Sequence, residues 1–208
     1  MKISRRKFIQ SSAAIGCGLM LPGMATAANI QELHGTVYIN NEVATQGSMI
    51  RAGDLVTTSH NGRISFSIDG DAFLLKERTS LRVGEKQSAV INVLRLFTGK
   101  LLSVFEKGRK REIVTSTATI GIRGTACFLN VMPEETYYCN CYGKTVLRAE
   151  SIKEEFEATH HNAHQLHFDG SHVMGMEVMK VIYHTDDELR QLENYVGRVP
   201  VFDQASFS

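Results

Sequence analysis

The sequence has no tryptophan, only three prolines and no long apolar run, and each shortage narrows the field. Without about 20 consecutive apolar residues there is no ordinary membrane-spanning helix, which excludes a polytopic membrane protein. Three prolines and 17 glycines without a period exclude a collagen-like chain. No repeat of fixed length points to a solenoid. Positive charge is scarce too, with 23 Lys+Arg against 22 Asp+Glu, whereas a nucleic-acid-binding domain is normally basic. Catalytic signatures are also missing. There is no Ser-His-Asp arrangement, no pair of catalytic carboxylates and no phosphate-cradling glycine loop. Gly121-Ile122-Arg123-Gly124 has the wrong glycine spacing for a dinucleotide fingerprint. An ordinary enzyme is the weaker expectation.

What is present is a 208-residue chain, 43% hydrophobic and 22% charged, as expected of one globular domain with a small appendage. Its N-terminus reads as an address. Ser4-Arg5-Arg6-Lys7-Phe8-Ile9-Gln10 resembles the twin-arginine export signature; a short, weakly apolar stretch over 11–21 and the small-x-small site Ala25-Thr26-Ala27 follow in order. Cys17 lies inside the apolar stretch, which disfavours a lipoprotein box there. The expectation is a signal peptide over 1–27, cleaved after Ala27, and a periplasmic mature chain with no integral membrane segment. Losing Lys2, Arg5, Arg6 and Lys7 leaves 19 basic against 22 acidic residues, a net charge near −3 with His neutral. That again predicts no nucleic-acid partner; another periplasmic or envelope protein is the partner class that remains. The twin-arginine route carries folded cargo, which raises the expectation of a bound metal or prosthetic group without naming one.

From residue 34 to about 156 the chain reads as short alternating apolar runs, broken by Gly, Asn or Asp every eight to twelve residues. Candidate strands are 36–39, 55–58, 63–68, 72–76, 80–83, 90–98, 100–106, 112–116, 125–131 and 136–146. Ile64, Phe66 and Ile68 share one face of a strand that ends in the hairpin turn Asp69-Gly70-Asp71. Gly121 and Gly124 flank Ile122-Arg123, where the backbone is expected to bend or bulge, with a fold-defining turn favoured over a binding site. After Ser171 the pattern changes. Residues 173–183 fit a strand or a helix, and Met174, Met176 and Met179 read as apolar packing rather than copper(I) ligands. Thr185-Asp186-Asp187-Glu188 is a capping box, followed by Leu189, Leu192 and Val196 as one apolar stripe, with Gly197 and Pro200 as stops. The predicted class is all-β, a sandwich or roll of short strands with a C-terminal helix. The β-domain spans 28–172, with a His-rich segment over 160–172, and a helical extension over 173–208 packs on it.

Several stretches resemble the FecR-domain family: Gly35-Thr36-Val37, Ile50-Arg51-Ala52-Gly53-Asp54-Leu55-Val56-Thr57-Thr58, Phe66-Ser67-Ile68-Asp69-Gly70 and Phe97-Thr98-Gly99-Lys100-Leu101-Leu102. The most specific is Val114-Thr115-Ser116-Thr117-Ala118-Thr119-Ile120-Gly121-Ile122-Arg123-Gly124-Thr125, which is similar to the family's Arg-Gly-Thr segment but lacks its proline. The resemblance covers roughly residues 34–148. It implies an extracytoplasmic β-domain of the kind found in iron-citrate regulatory sensors and in other exported proteins, and it implies no enzyme. The sensor has a cytoplasmic segment and one membrane span; here an export signal stands in their place.

The mature chain holds Cys127, Cys139 and Cys141, an odd number that cannot all pair within the chain. With Pro133, Glu134 and Glu135 as the turn between two strands, Cys127 faces Cys141 and all three thiols share one sheet face, with opposed Cβ atoms about 4.5–5.5 Å apart. Cys139 and Cys141 are about 6–7 Å apart along a strand, too far to bridge each other easily. A Cys127–Cys141 disulfide and soft-metal ligation by two or three thiolates remain equally open, with free or redox-active thiols behind them. Downstream, five of the eight histidines fall in residues 160–172: His160, His161, His164, His167 and His172. An exposed polar loop is one reading. The other is a nitrogen-rich ligand set for zinc, copper or iron, since two Cys and two His complete a tetrahedral site. The candidate ligands are Cys127, Cys139, Cys141, His160, His161, His164 and His167. Two functions follow: a non-catalytic sensor or carrier binding a metal ion or metal-containing ligand through these residues, or a thiol–disulfide redox protein. A purely structural interaction module is the remaining alternative.

Overall fold

The computed structural model describes residues 29–84 and 92–204; the predicted signal peptide lies outside them. As the alternating pattern requires, the chain is built almost wholly of strands joined by tight turns. β1 (Ile30–His34), β2 (Val37–Ile39), β3 (Glu42–Val43) and β4 (Leu55–Thr58) precede the hairpin of β5 (Arg63–Ile68) and β6 (Asp71–Leu75). Asp69 and Gly70 both adopt positive φ, the backbone a two-residue hairpin loop demands, so the turn expected there forms. β7 (Ser80–Val83) leads to the long strands β8 (Val93–Val104), β10 (Thr119–Val131) and β11 (Glu135–Ala149), with β9 (Lys110–Val114) between the first two. β12 (Ile152–Ala158), β13 (Asn162–Asp169) and β14 (His172–Met179) complete the sheet. Residues 173–183, open between strand and helix from sequence, begin as a strand because β14 finds β13 as its antiparallel partner.

The long strands organise the sheet by changing neighbours midway. The first half of β8 pairs with β7 and, in parallel, with β9; its second half pairs with β6 and β10. β10 runs along β9 and then β8, and β11 pairs with β12 at one end and β13 at the other. Gly99, expected as a break, sits inside β8, where it allows a bend without ending the strand. Gly124 and Gly143 lie close across β10 and β11 at the irregular register where Arg123 gives way to Ala126, so the favoured turn does not form at 121–124 and a bulge inside a continuous strand stands there instead. A Cβ on Gly143, whose φ is +86°, would stand 2.8 Å from the Cβ of Thr125, so only glycine fits.

Bending gives the sheet two apolar faces and two cores. One face, with Ile64, Phe66, Phe73, Leu101, Cys127, Leu129 and Tyr138, closes on itself as the main core. The opposite face carries Leu74, Leu102, Val104, Phe128, Tyr137, Cys139 and Cys141. It is covered by α1 (Asp186–Tyr195) and α2 (Val201–Gln204), with Leu189 and Leu192 of α1 buried on it. The predicted capping box is formed in full: Thr185 accepts from the Glu188 N–H, and the Glu188 carboxylate accepts from the Thr185 N–H. Two-sided burial explains why all five residues of β6 are buried. No helix among the described residues is long and apolar enough to cross a membrane.

One buried ion pair joins the β5–β6 turn to β9. Arg111 Nε donates to Asp71 Oδ2 at 2.6 Å and the Glu106 N–H donates to Asp71 Oδ1 at 2.8 Å, with both charged side chains no more than 2% exposed. Asp71→Ala would leave a guanidinium buried without its counter-charge and is expected to cost about 3–5 kcal/mol, read as a lower urea midpoint with unchanged slope.

Candidate metal centre

The site grows from the β10–β11 hairpin. Its loop contains two residues, Pro133 and Glu134, closed by a 2.9 Å bond from the Met132 N–H to the Glu135 carbonyl. One residue fewer in the loop shifts the expected register by one, and a one-residue shift moves a side chain to the other face. Cys127 is therefore opposite Asn140, and Phe128 is opposite Cys139. The expectation that all three thiols share a face fails for Cys127, which lies in the main core with Sγ 3.4 Å from Ser103 Oγ. Burial pushes its thiol up to about 12. Cys139 and Cys141 share the second face as expected, and all three cysteines are free.

Two histidines meet the pair. His161 stands in the turn between β12 and β13 with φ +51°, its N–H bonded to the Cys141 carbonyl at 2.8 Å. Its Nδ1 faces Cys139 Sγ at 3.5 Å. His184 comes from the connection between β14 and α1 and stacks on Phe128 at 4.8 Å, with Nε2 3.4 Å from Cys141 Sγ. The two facing ring nitrogens are 3.4 Å apart. Each ring is fixed from behind. His161 Nε2–H donates to Asp186 Oδ1 at 2.8 Å and His184 Nδ1–H donates to the Ile182 carbonyl at 3.1 Å, so in the neutral form of each ring the inward nitrogen is a lone pair.

These four donor atoms lie within 4.8 Å of one another. In a tetrahedral site with Zn–S of about 2.3 Å and Zn–N of about 2.0–2.1 Å, the S–N and N–N edges come to about 3.5 and 3.4 Å. The observed edges of 3.5, 3.4 and 3.4 Å fit such a donor set. Its electrostatics suit a cation. Hydrogen bonding from Cys141, helped by His161 and His184, lowers the Cys139 thiol, whereas burial raises that of Cys141. Burial opposes protonation of His161, but Cys139 and Asp186 outweigh it and raise its pKa.

The other predicted ligands are outside this set of four. His160, half exposed, shares Asp186 with His161 at 3.0 Å and forms with them a second, more exposed group of possible ligands. His164 belongs to the opposite sheet face, across from Tyr138 and packed on Phe156; burial lowers its pKa. His167 is exposed beside Glu177. His161 has positive φ in the turn that precedes β13. His184 and Asp186 are not among the ligands expected from sequence, although Asp186 falls in the expected capping box. Their signal was position, since His184 immediately precedes the capping box of a helix whose stripe had to cover the sheet.

No family model and no curated protein matches the chain. Two crystal structures, at 1.65 and 2.50 Å resolution, of a protein described as a "putative anti-sigma factor" from Parabacteroides distasonis are similar to it, with TM-score 0.51 and 12% identity. The likeness is one of fold. It covers 67% of this chain and 64% of that one, so the chain spans under two thirds of the structure it resembles.

All three thiols are expected to be counted as free in denaturant without reductant, by alkylation and mass spectrometry. A Cys127–Cys141 linked peptide would contradict the register.

Proposed function

We propose that this chain is an exported, FecR-like, non-catalytic sensor or carrier domain that binds one divalent transition-metal ion, zinc foremost, through Cys139, Cys141, His161 and His184. The observation that carries the reading is the convergence of two sulfurs and two imidazole nitrogens within 4.8 Å of one another, three of the separations being 3.4–3.5 Å, each ring held by an acceptor behind it. Charge favours a divalent ion. Two thiolates and two neutral imidazoles make a neutral complex with M²⁺, whereas a monovalent ion would leave an uncompensated buried negative charge. Four protein donors leave no position for substrate, which suits a regulatory or structural site better than a catalytic one.

The FecR-like sequence segments and the fold shared with a protein described as an anti-sigma factor support a regulatory role. The twin-arginine motif around Arg5 and Arg6 supports export of the folded, loaded domain. Thiol–disulfide exchange is the reading less favoured, because all three sulfurs are fully buried from an attacking disulfide.

Mature protein purified without a His tag is expected to carry about one zinc per chain by elemental analysis, and cobalt substitution should give the visible spectrum of a tetrahedral thiolate site. Cys139→Ser and His184→Ala should each remove the stoichiometric metal, while His164→Ala, His167→Ala and Cys127→Ala retain it. Metal-free protein that binds no added zinc would overturn the reading.

Asp186→Asn keeps an acceptor oxygen but removes the charge behind His161. It is expected to weaken zinc binding about 10–100-fold in a chelator competition, with stoichiometry unchanged.

A further inference from the structure

The four donors belong to two different parts of the molecule. Cys139, Cys141 and His161 are part of the sheet and its turn, whereas His184 is carried on the crossover that delivers the C-terminal segment. Asp186, the first residue of α1, grips His160 and His161 from the same side. The geometry points to a metal latch: occupancy of the Cys139–Cys141–His161–His184 site holds the segment from Tyr183 onward over the second core, and loss of the ion loosens it. This rests on the metal-site reading and adds a regulated element to it.

Three observations carry it. First, α1 has ten residues, too few to stand as a helix in water without packing, so undocking and unwinding are one event. Second, the backbone around the site is held in the left-handed region at two non-glycine positions, His161 (φ +51°) and Tyr183 (φ +71°), the second beside His184. For a bulky residue such as tyrosine that conformation is unfavourable and persists only where surrounding contacts impose it. Third, the remaining ties are polar contacts that spare the four donors. Lys76 Nζ reaches Glu188 at 2.8 Å and the Tyr183 carbonyl, Arg63 reaches Glu188 at 3.1 Å, and Tyr142 meets Glu193. The entry thus hangs on Lys76 and on the metal donor His184, so the entry should respond to the ion. What it uncovers is the apolar face of Leu74, Leu102, Val104 and Phe128.

Latch and binding site are coupled reciprocally: the factor by which the ion favours docking equals the factor by which docking strengthens the ion. The test uses the full mature chain, with zinc alone as probe. Hydrogen exchange is followed by mass spectrometry with and without zinc, and zinc affinity is measured by chelator competition. Zinc is expected to slow exchange over residues 183–195 about tenfold or more, while β5 to β7 are unchanged. Arg63→Met removes a sheet-side anchor whose side chain meets Glu188, away from the donors, and should weaken zinc roughly 2–5-fold. Zinc bound at one per chain, with exchange of 183–195 unaltered and the Arg63→Met affinity equal to wild type, overturns the latch and leaves the metal site standing. No zinc bound by the wild-type chain overturns both. Cys139→Ser, which leaves the sheet intact, should show fast exchange of the segment whether or not zinc is added; slow exchange in that variant also overturns the latch.

Discussion

Strand side chains alternate between faces, so a single backbone bond can decide the chemistry of a whole strand pair. Here that bond runs from the Met132 N–H to the Glu135 carbonyl, closing a loop of two residues rather than three. It sends Cys127 into the main core beside Ser103 and leaves Cys139 and Cys141 together on the opposite face. It also sets Phe128 opposite Cys139, where its ring forms the wall on which His184 stacks. The bulge at Gly124 and the close approach at Gly143 then bend β10 and β11, so that the strands serving the main core also present a second apolar face.

That second face is the reason the C-terminal segment is folded at all. Burying Leu189 and Leu192 contributes about 1.5–3 kcal/mol each, an upper figure because unfolded chains already hide some surface. A ten-residue helix needs such contacts, since its own propagation does not offset nucleation. Its polar positions are matched to the sheet as well. Glu188 completes the capping box and meets Lys76 and Arg63, and the buried Glu193 meets Tyr142 and Arg198. His184 and Asp186 arrive at the sulfurs because the helix starts where it does. Apolar packing therefore delivers the polar chemistry.

Much of this was legible from the amino acids alone. Alternation and turn residues gave strands 63–68 and 80–83 and the Asp69-Gly70 hairpin, and the capping box gave the helix at its observed start. Half the site was legible too, because Cys139 and Cys141 two apart on a strand must share a face, and a dense histidine run near them pointed to His161. Legibility ended where distances between separate elements matter. Cys127 and His164 have the right chemistry on the wrong face, His167 lies exposed toward the loop end of the hairpin, and His184 lies 43 residues from Cys141.

The sequence by itself determined the all-β class, the alternating apolar strands, the helical ending and the presence of thiol and imidazole donors, because these depend on local periodicity and residue chemistry. Only the tertiary structure decided which donors meet. Loop length sets register, register sets face, and the docking of a distant helix supplies the fourth donor and the carboxylate behind the third. None of these is a local property, since each is settled by the burial of an apolar surface that no single segment can complete.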